Sequence, residues 1–139
     1  MKAFYFALAT AVVWGAVPIL EKMGVSRIAP LAGVLIRSFG VIIGLFILAI
    51  FNNDALRLAF KADPRTIFLL VVSGIMASIV GQIFFYNALK IGEVSKLVPI
   101  AGTYPLFAFL LGVIFLGEGF TLVKAGGVIF VVLGLFLLR

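Results

Sequence analysis

The sequence predicts an all-α integral membrane protein, a single domain over residues 1–139 built as a bundle of five transmembrane helices. Three observations carry that reading. The chain is 65% hydrophobic and only 12% charged, with a mean hydropathy of +1.35, against roughly 45–50% apolar and about 25% charged in a soluble domain. Its apolar residues gather into five runs that meet or approach the ~20 residues a helix needs to cross a hydrocarbon core about 30 Å thick. The runs are continuously apolar, without the alternation that the strands of a membrane β-barrel require.

In chain order the helices are expected at about residues 3–22, 29–51, 66–90, 96–117 and 120–138. The first run is long and no A-x-A site follows it, so a cleavable leader is not expected. Pro30 suits the first turn of helix 2, and Asp63 followed by Pro64 reads as the N-cap and first-turn proline of helix 3. Between these helices lies NNDALRLAFKADPR, the one long polar connection. It reads either as a plain loop or as a short amphipathic turn, with Leu56, Ala59 and Phe60 on the lipid and Arg57, Lys61 and Arg65 toward phosphates. Helix 4 is expected to start near Ser95, which puts Pro99 in its first turn.

Pro105 falls inside helix 4, where it removes the bond to the Ala101 carbonyl at a cost of about 3 kcal/mol, and Pro18 does the same to the Trp14 carbonyl in helix 1. A freed carbonyl in lipid needs another partner or a wet cavity. Two helix breaks at Pro18 and Pro105, with Trp14, Thr103 and Tyr104 beside them, therefore point to groups presented to a central cavity; kinks that only shape packing are the alternative. Ser78, Gln82 and Tyr86 follow at steps of four on helix 3 and share one face, either bonded to neighbouring helices or lining a solute path. Arg37 is the one charge inside a span. It is either a functional group or a pin that binds carbonyls freed by the prolines. Small residues recur as Ala7, Ala11 and Gly15 on helix 1 and as Gly127 and Gly134 on helix 5, seams along which helix backbones can approach closely. The seam on helix 5 is the candidate for a dimer contact.

The same inventory excludes several functions. With no cysteine and no histidine, there are no disulfides, no thiolate sites and none of the commonest metal ligand. None of the five acidic residues lies deep inside an apolar run, so neither hydrolytic nor metal-based catalysis is expected, and no metal or cofactor. The formal charge of +6 comes from eleven Lys and Arg that punctuate the ends of runs. That pattern fits headgroup contact and topology signalling, not nucleic acid.

ATAVVWGAVPILEK (Thr10 to Lys22) resembles the WG...K opening of an EamA repeat of the drug/metabolite transporter superfamily, and VLIRSF (Val34 to Phe39) resembles its second-helix Arg motif. From Phe84 to Leu138 the likeness continues through the NAL-K-G turn, P-x5-P, the GE pair and G-x6-G. The resemblance implies a secondary transporter of amino acids, metabolites, nucleotide-sugars or drugs. It also implies half of a ten-helix architecture made of two inverted five-helix repeats, hence an antiparallel homodimer or a paired homologue. A lipid-linked sugar flippase subunit and a non-transporting accessory membrane protein are the alternatives.

Related four-helix multidrug exporters couple to protons through a helix-1 Glu. Counting back from the shared Lys22, that position is Trp14 here, which speaks against cationic-drug export. Glu21 and Glu118 are placed at span ends, so no deep acidic site is expected. A neutral, zwitterionic or anionic polar solute is then expected, met by Trp14, Arg37, Gln82, Tyr86, Thr103 and Tyr104. With five helices, Lys2, Arg57, Lys61, Arg65 and Lys124 share one side and Lys22, Arg27, Lys90, Lys96 and Arg139 the other. That balance gives insertion no preferred orientation. The expected location is the cell (plasma or inner) membrane, crossed several times.

Overall fold

The computed structural model describes residues 2–137 and is helical in all its regular segments. Eight α-helices follow one another: α1 (Lys2–Val25), α2 (Pro30–Phe51), α3 (Asn53–Phe60), α4 (Pro64–Ile75), α5 (Gly81–Ile91), α6 (Val94–Ala101), α7 (Tyr104–Leu116) and α8 (Leu122–Leu137). A π turn, Met76–Val80, joins α4 to α5 without a break, so Pro64–Ile91 is one 28-residue span. Among the described residues four stretches are long and apolar enough to cross a membrane: Lys2–Val25, Pro30–Phe51, Pro64–Ile91 and Val94–Leu116. The fifth expected run is shorter. α8 has 16 residues, about 24 Å at 1.5 Å per residue, and the end expected at residue 138 lies outside the described residues.

Local chemistry sets the boundaries. Pro30 and Pro64 each stand at the start of a helix, where the missing N–H costs nothing. Asn52 caps α3 by accepting from the Ala55 N–H at 3.2 Å. Asp63 caps α4 more fully, accepting from the Thr66 N–H at 2.9 Å and from its hydroxyl at 2.6 Å. The Thr66 hydroxyl, with its N–H second, holds the Asp63 carboxyl below its ordinary value. The cap's contribution is therefore present above the ordinary carboxylate range and is lost as acid titrates the group through its lowered folded value. At the other end of the chain Gly117, with φ +65°, ends α7 in the left-handed region that favours glycine. The N–H of Glu118 then reaches the Gly112 carbonyl at 3.2 Å. α8 starts only at Leu122, after the Thr121 hydroxyl has accepted from the Lys124 N–H.

The structure differs at the two prolines expected to break helices. α1 runs through Pro18 unbroken, because the φ of the ring is compatible with a helix and a 24-residue ladder survives the loss of one donor. The break in the fourth span falls at Gly102–Thr103. Pro99 lies inside α6, past its first turn, while Pro105 sits in the first turn of α7. The two prolines remove donors on either side of this point, and the backbone tightens between them. The N–H of Gly102 bonds the Val98 carbonyl at 2.7 Å and that of Thr103 bonds the Ile100 carbonyl at 3.1 Å. A Cβ at 102 would stand close to the Val98 and Pro99 carbonyl oxygens, 3.1 Å from each, so a larger residue there would have to displace the backbone by a few tenths of an ångström.

By contact the chain forms two units, one of residues Ile19–Ile91 and one of the residues up to Pro18 together with those from Gly92 onward. In the Ile19–Ile91 unit α2 packs on α5, and Val25, Val34, Tyr86 and Leu89 are its buried hydrophobic residues. In the other unit α7 packs on α8. Most large apolar side chains are exposed, as suits helices whose solvent is lipid. Two lysines tie the ends of α1 and α5 to each other. Lys90 Nζ donates to the carbonyls of Val25, Ser26 and Ile28 at 2.9–3.0 Å, and Lys22 Nζ donates to the Leu89 carbonyl. Each cation serves the carbonyl-rich end of the opposite helix.

Lys90→Met keeps the stem and removes all three bonds to the end of α1. It should lower stability by about 1–3 kcal/mol, the range for hydrogen bonds to charged groups, read as a lower melting temperature in detergent. Lys90→Arg should recover much of the loss, and an unchanged melting temperature for Lys90→Met would refute the capping role.

Candidate functional site

Three helices of the Ile19–Ile91 unit each bring a pair of residues spaced by four, which places the members of a pair on one face. α1 brings Glu21 and Val25, α2 brings Gly33 and Arg37, and α5 brings Gln82 and Tyr86. Glu21 is the hub. Its Oε1 accepts from Gln82 Nε2 at 2.7 Å, from the Tyr86 hydroxyl at 3.1 Å and from Arg37 Nε at 3.3 Å. The Glu21 side chain is only 10% exposed and that of Arg37 32%. Removing one partner from a buried pair of this kind strands a charge, typically at about 3–5 kcal/mol.

The Tyr86 ring reaches Glu21 because residue 33 has no side chain. A Cβ at Gly33 would lie 3.0 Å from two ring carbons of Tyr86 and 3.2 Å from Val25 Cγ2. Tyr86 is 3% exposed, wedged where α2 carries this glycine. Beside the cluster is a cavity of about 230 Å3, lined by Glu21, Arg37 and Tyr86 among the apolar Leu20, Val25 and Ile36. Arg37 Nη1 is buried and has no hydrogen-bond partner among the described residues. A buried guanidinium N–H left open at the wall of a cavity is a place for an acceptor to bind.

Of the residues singled out from sequence, Arg37, Gln82 and Tyr86 come together here. Arg37 binds a carboxylate and not freed carbonyls. Ser78 does not join Gln82 and Tyr86, because the π turn intervenes. Instead it lines, with Arg37 and Ser38, a second cavity of about 270 Å3 in the same unit. Trp14, Thr103 and Tyr104 belong to the other unit. There Trp14 and Tyr104 are 62% and 58% exposed, and the Thr103 hydroxyl donates to the Ile100 carbonyl at 2.6 Å. In that unit a cavity of about 300 Å3 is lined by Pro105, Phe109, Lys124 and Gly127, and neither Gly127 nor Gly134 has an atom within 4 Å of where a Cβ would stand.

The absence of an inward acidic group is corrected by Glu21. α1 extends to Val25, so Glu21 stands one turn inside the helix end. The signal for it was present: an arginine inside a span requires a counter-ion, and Glu21 is the acidic residue on the adjoining helix.

Gly33→Ala should push Tyr86 off its seat and cost about 1–3 kcal/mol, as overpacking does. Gly40→Ala on the same helix, where a Cβ meets open space, should cost nothing. Equal melting temperatures for the two variants would contradict the close approach.

Residues 1–139 match the EamA-like transporter family. Over 136 residues the chain is 24% identical to the uncharacterized protein MJ1333.1 of Methanocaldococcus jannaschii, covering 98% of this chain and 95% of that protein. No solved structure matches. A family match along the whole chain, on helices of this length and composition, makes this a multi-pass membrane protein that belongs to the EamA-like transporter family.

Proposed function

We propose that the chain is a secondary transporter subunit that moves a small polar solute, such as an amino acid, across the cell membrane by alternating access. The observation that carries this reading is the Glu21–Arg37 pair at the cavity wall, with Arg37 Nη1 unpartnered. The pair is neutral as a whole. A solute with no net charge keeps it so, whereas a singly charged one leaves an unbalanced charge in a medium of low dielectric. A zwitterion complements both ends of the pair, its anionic group toward Arg37 and its cationic group toward Glu21. Gln82 and Tyr86 hold the carboxylate in place. A volume of about 230 Å3 is below the usual 300–1,000 Å3 of drug-sized sites, which favours a compact solute. Trp14, Thr103 and Tyr104 are retained as candidate solute contacts in their own unit.

A carrier of this design needs two inverted halves, and one repeat supplies one. The second half is a second copy in the opposite orientation or a paired homologue. In this reading α8 is the fifth membrane helix, and its open face at Gly127 and Gly134 is the seam.

The solute is sought by thermal shift of the purified protein with neutral amino acids, against their amides and N-acetyl derivatives as singly charged analogues. Transport of any hit is then followed in proteoliposomes. The neutral zwitterions should stabilise and the charged analogues should not. Arg37→Leu should abolish transport, and the double variant Glu21→Leu/Arg37→Leu, which strands no charge, should assemble normally and remain inactive. A double variant that transports at the normal rate would reduce the pair to packing, as in an accessory protein.

Orientation is tested separately. The chain has no cysteine, so a single Asn53→Cys should label with an impermeant thiol reagent from both faces of the membrane if the partner is an inverted copy. Labelling from one face alone would exclude the dual-orientation homodimer.

A further inference from the structure

We infer that α3 is a docking surface for acidic phospholipid headgroups. The helix lies between Phe51, the end of one span, and Pro64, the start of the next, so it is held at a membrane boundary. None of its residues is buried, yet it is sharply two-sided. At about 100° per residue, Asn53, Asp54 and Arg57 fall within one arc, with Lys61 following in register, and Leu56, Ala59 and Phe60 fall within another, while Leu58 stands apart beside Asp54. Leu56 and Phe60 are 41% and 82% exposed, a costly arrangement in water and a natural one with that apolar side laid into the acyl boundary.

The charges select the lipid. Both carboxylates of the segment serve helix starts: Asp54 is in the first turn of α3, and Asp63 is engaged by Thr66 as the cap of α4. Arg57, Lys61 and Arg65 remain, and none of them forms an ion pair among the described residues. Three exposed cations beside an apolar face at the level of the headgroups complement phosphates that carry net negative charge. Zwitterionic headgroups offer no net attraction. This surface is separate from the solute site, and the inference does not depend on the transport reading.

The test uses the full chain in nanodiscs of phosphatidylcholine, with or without phosphatidylglycerol. Phosphatidylglycerol should raise the unfolding temperature of the wild type at low salt and lose that effect at high salt. The variant Arg57→Gln/Lys61→Gln/Arg65→Gln should show no rise, and an undiminished rise would overturn the inference. Inorganic phosphate added to phosphatidylcholine discs should give no rise. A matching rise would assign the surface to a soluble anion and overturn the lipid reading. Because the triple variant could fold poorly, the wild-type charges are also read through single cysteines carrying an environment-sensitive dye. Phe60→Cys should emit to the blue in discs containing phosphatidylglycerol, and Asp54→Cys should not. Equal emission from the two would show that α3 does not lie flat on the lipid.

Discussion

The arrangement of the Ile19–Ile91 unit depends on one constraint: a guanidinium on an apolar helix must find a counter-charge. An unpaired Arg at the centre of a membrane helix costs ~2.5–3.5 kcal/mol or more, and Arg37 meets that cost by drawing in Glu21. The rest follows from the need to hold a carboxylate among hydrocarbons. Glu21 requires donors, so α5 presents Gln82 and Tyr86 at one turn's spacing. Tyr86 requires room, so α2 has a glycine at 33. The end of α1 must reach far enough to bring Glu21 inside, and Lys90 holds that end by its last carbonyls.

This dependence explains which features were legible in the sequence. Pro30 and the Asp63–Pro64 pair were legible because each acts through its own backbone or the next turn. The composition of the first four spans was legible because lipid imposes it on every residue of a run. Glu21 was hidden by register. From apolar run length alone, helix 1 ends near Leu20, and the further turn to Val25 rests on a lysine 65 positions away in the chain. The break near Pro105 was legible in kind but not in place. Two prolines bracket the point, and the break falls between them at Gly102, where the carbonyls lie 3.1 Å from where a Cβ would be.

On the transport reading, the pair also bears on selectivity. With Glu21 absent, Arg37 would make an anion site. With Glu21 in contact, the field of each partner is largely cancelled at a distance and strong only nearby. Such a pair attracts by dipole and contact and not by net charge. Discrimination at a site of this kind falls on whether a solute satisfies both ends, because leaving a buried polar group unpaired costs about 1–3 kcal/mol.

The π turn at Met76–Val80 adds a consequence of its own. Had α4 and α5 formed one regular helix, Ser78, Gln82 and Tyr86 would form a single polar line facing Glu21. The Gly81 N–H instead reaches back five residues to the Met76 carbonyl, and a Cβ at Gly81 would stand 3.2 Å from that oxygen. The wider turn takes Ser78 out of the line and into the wall of the second cavity. Arg37 thereby borders both cavities, one with Glu21 and one with Ser78. On the transport reading, a fixed cation shared by two cavities beside a π turn, a feature often found at functional sites, keeps the solute's anionic partner in place while the span around it changes shape.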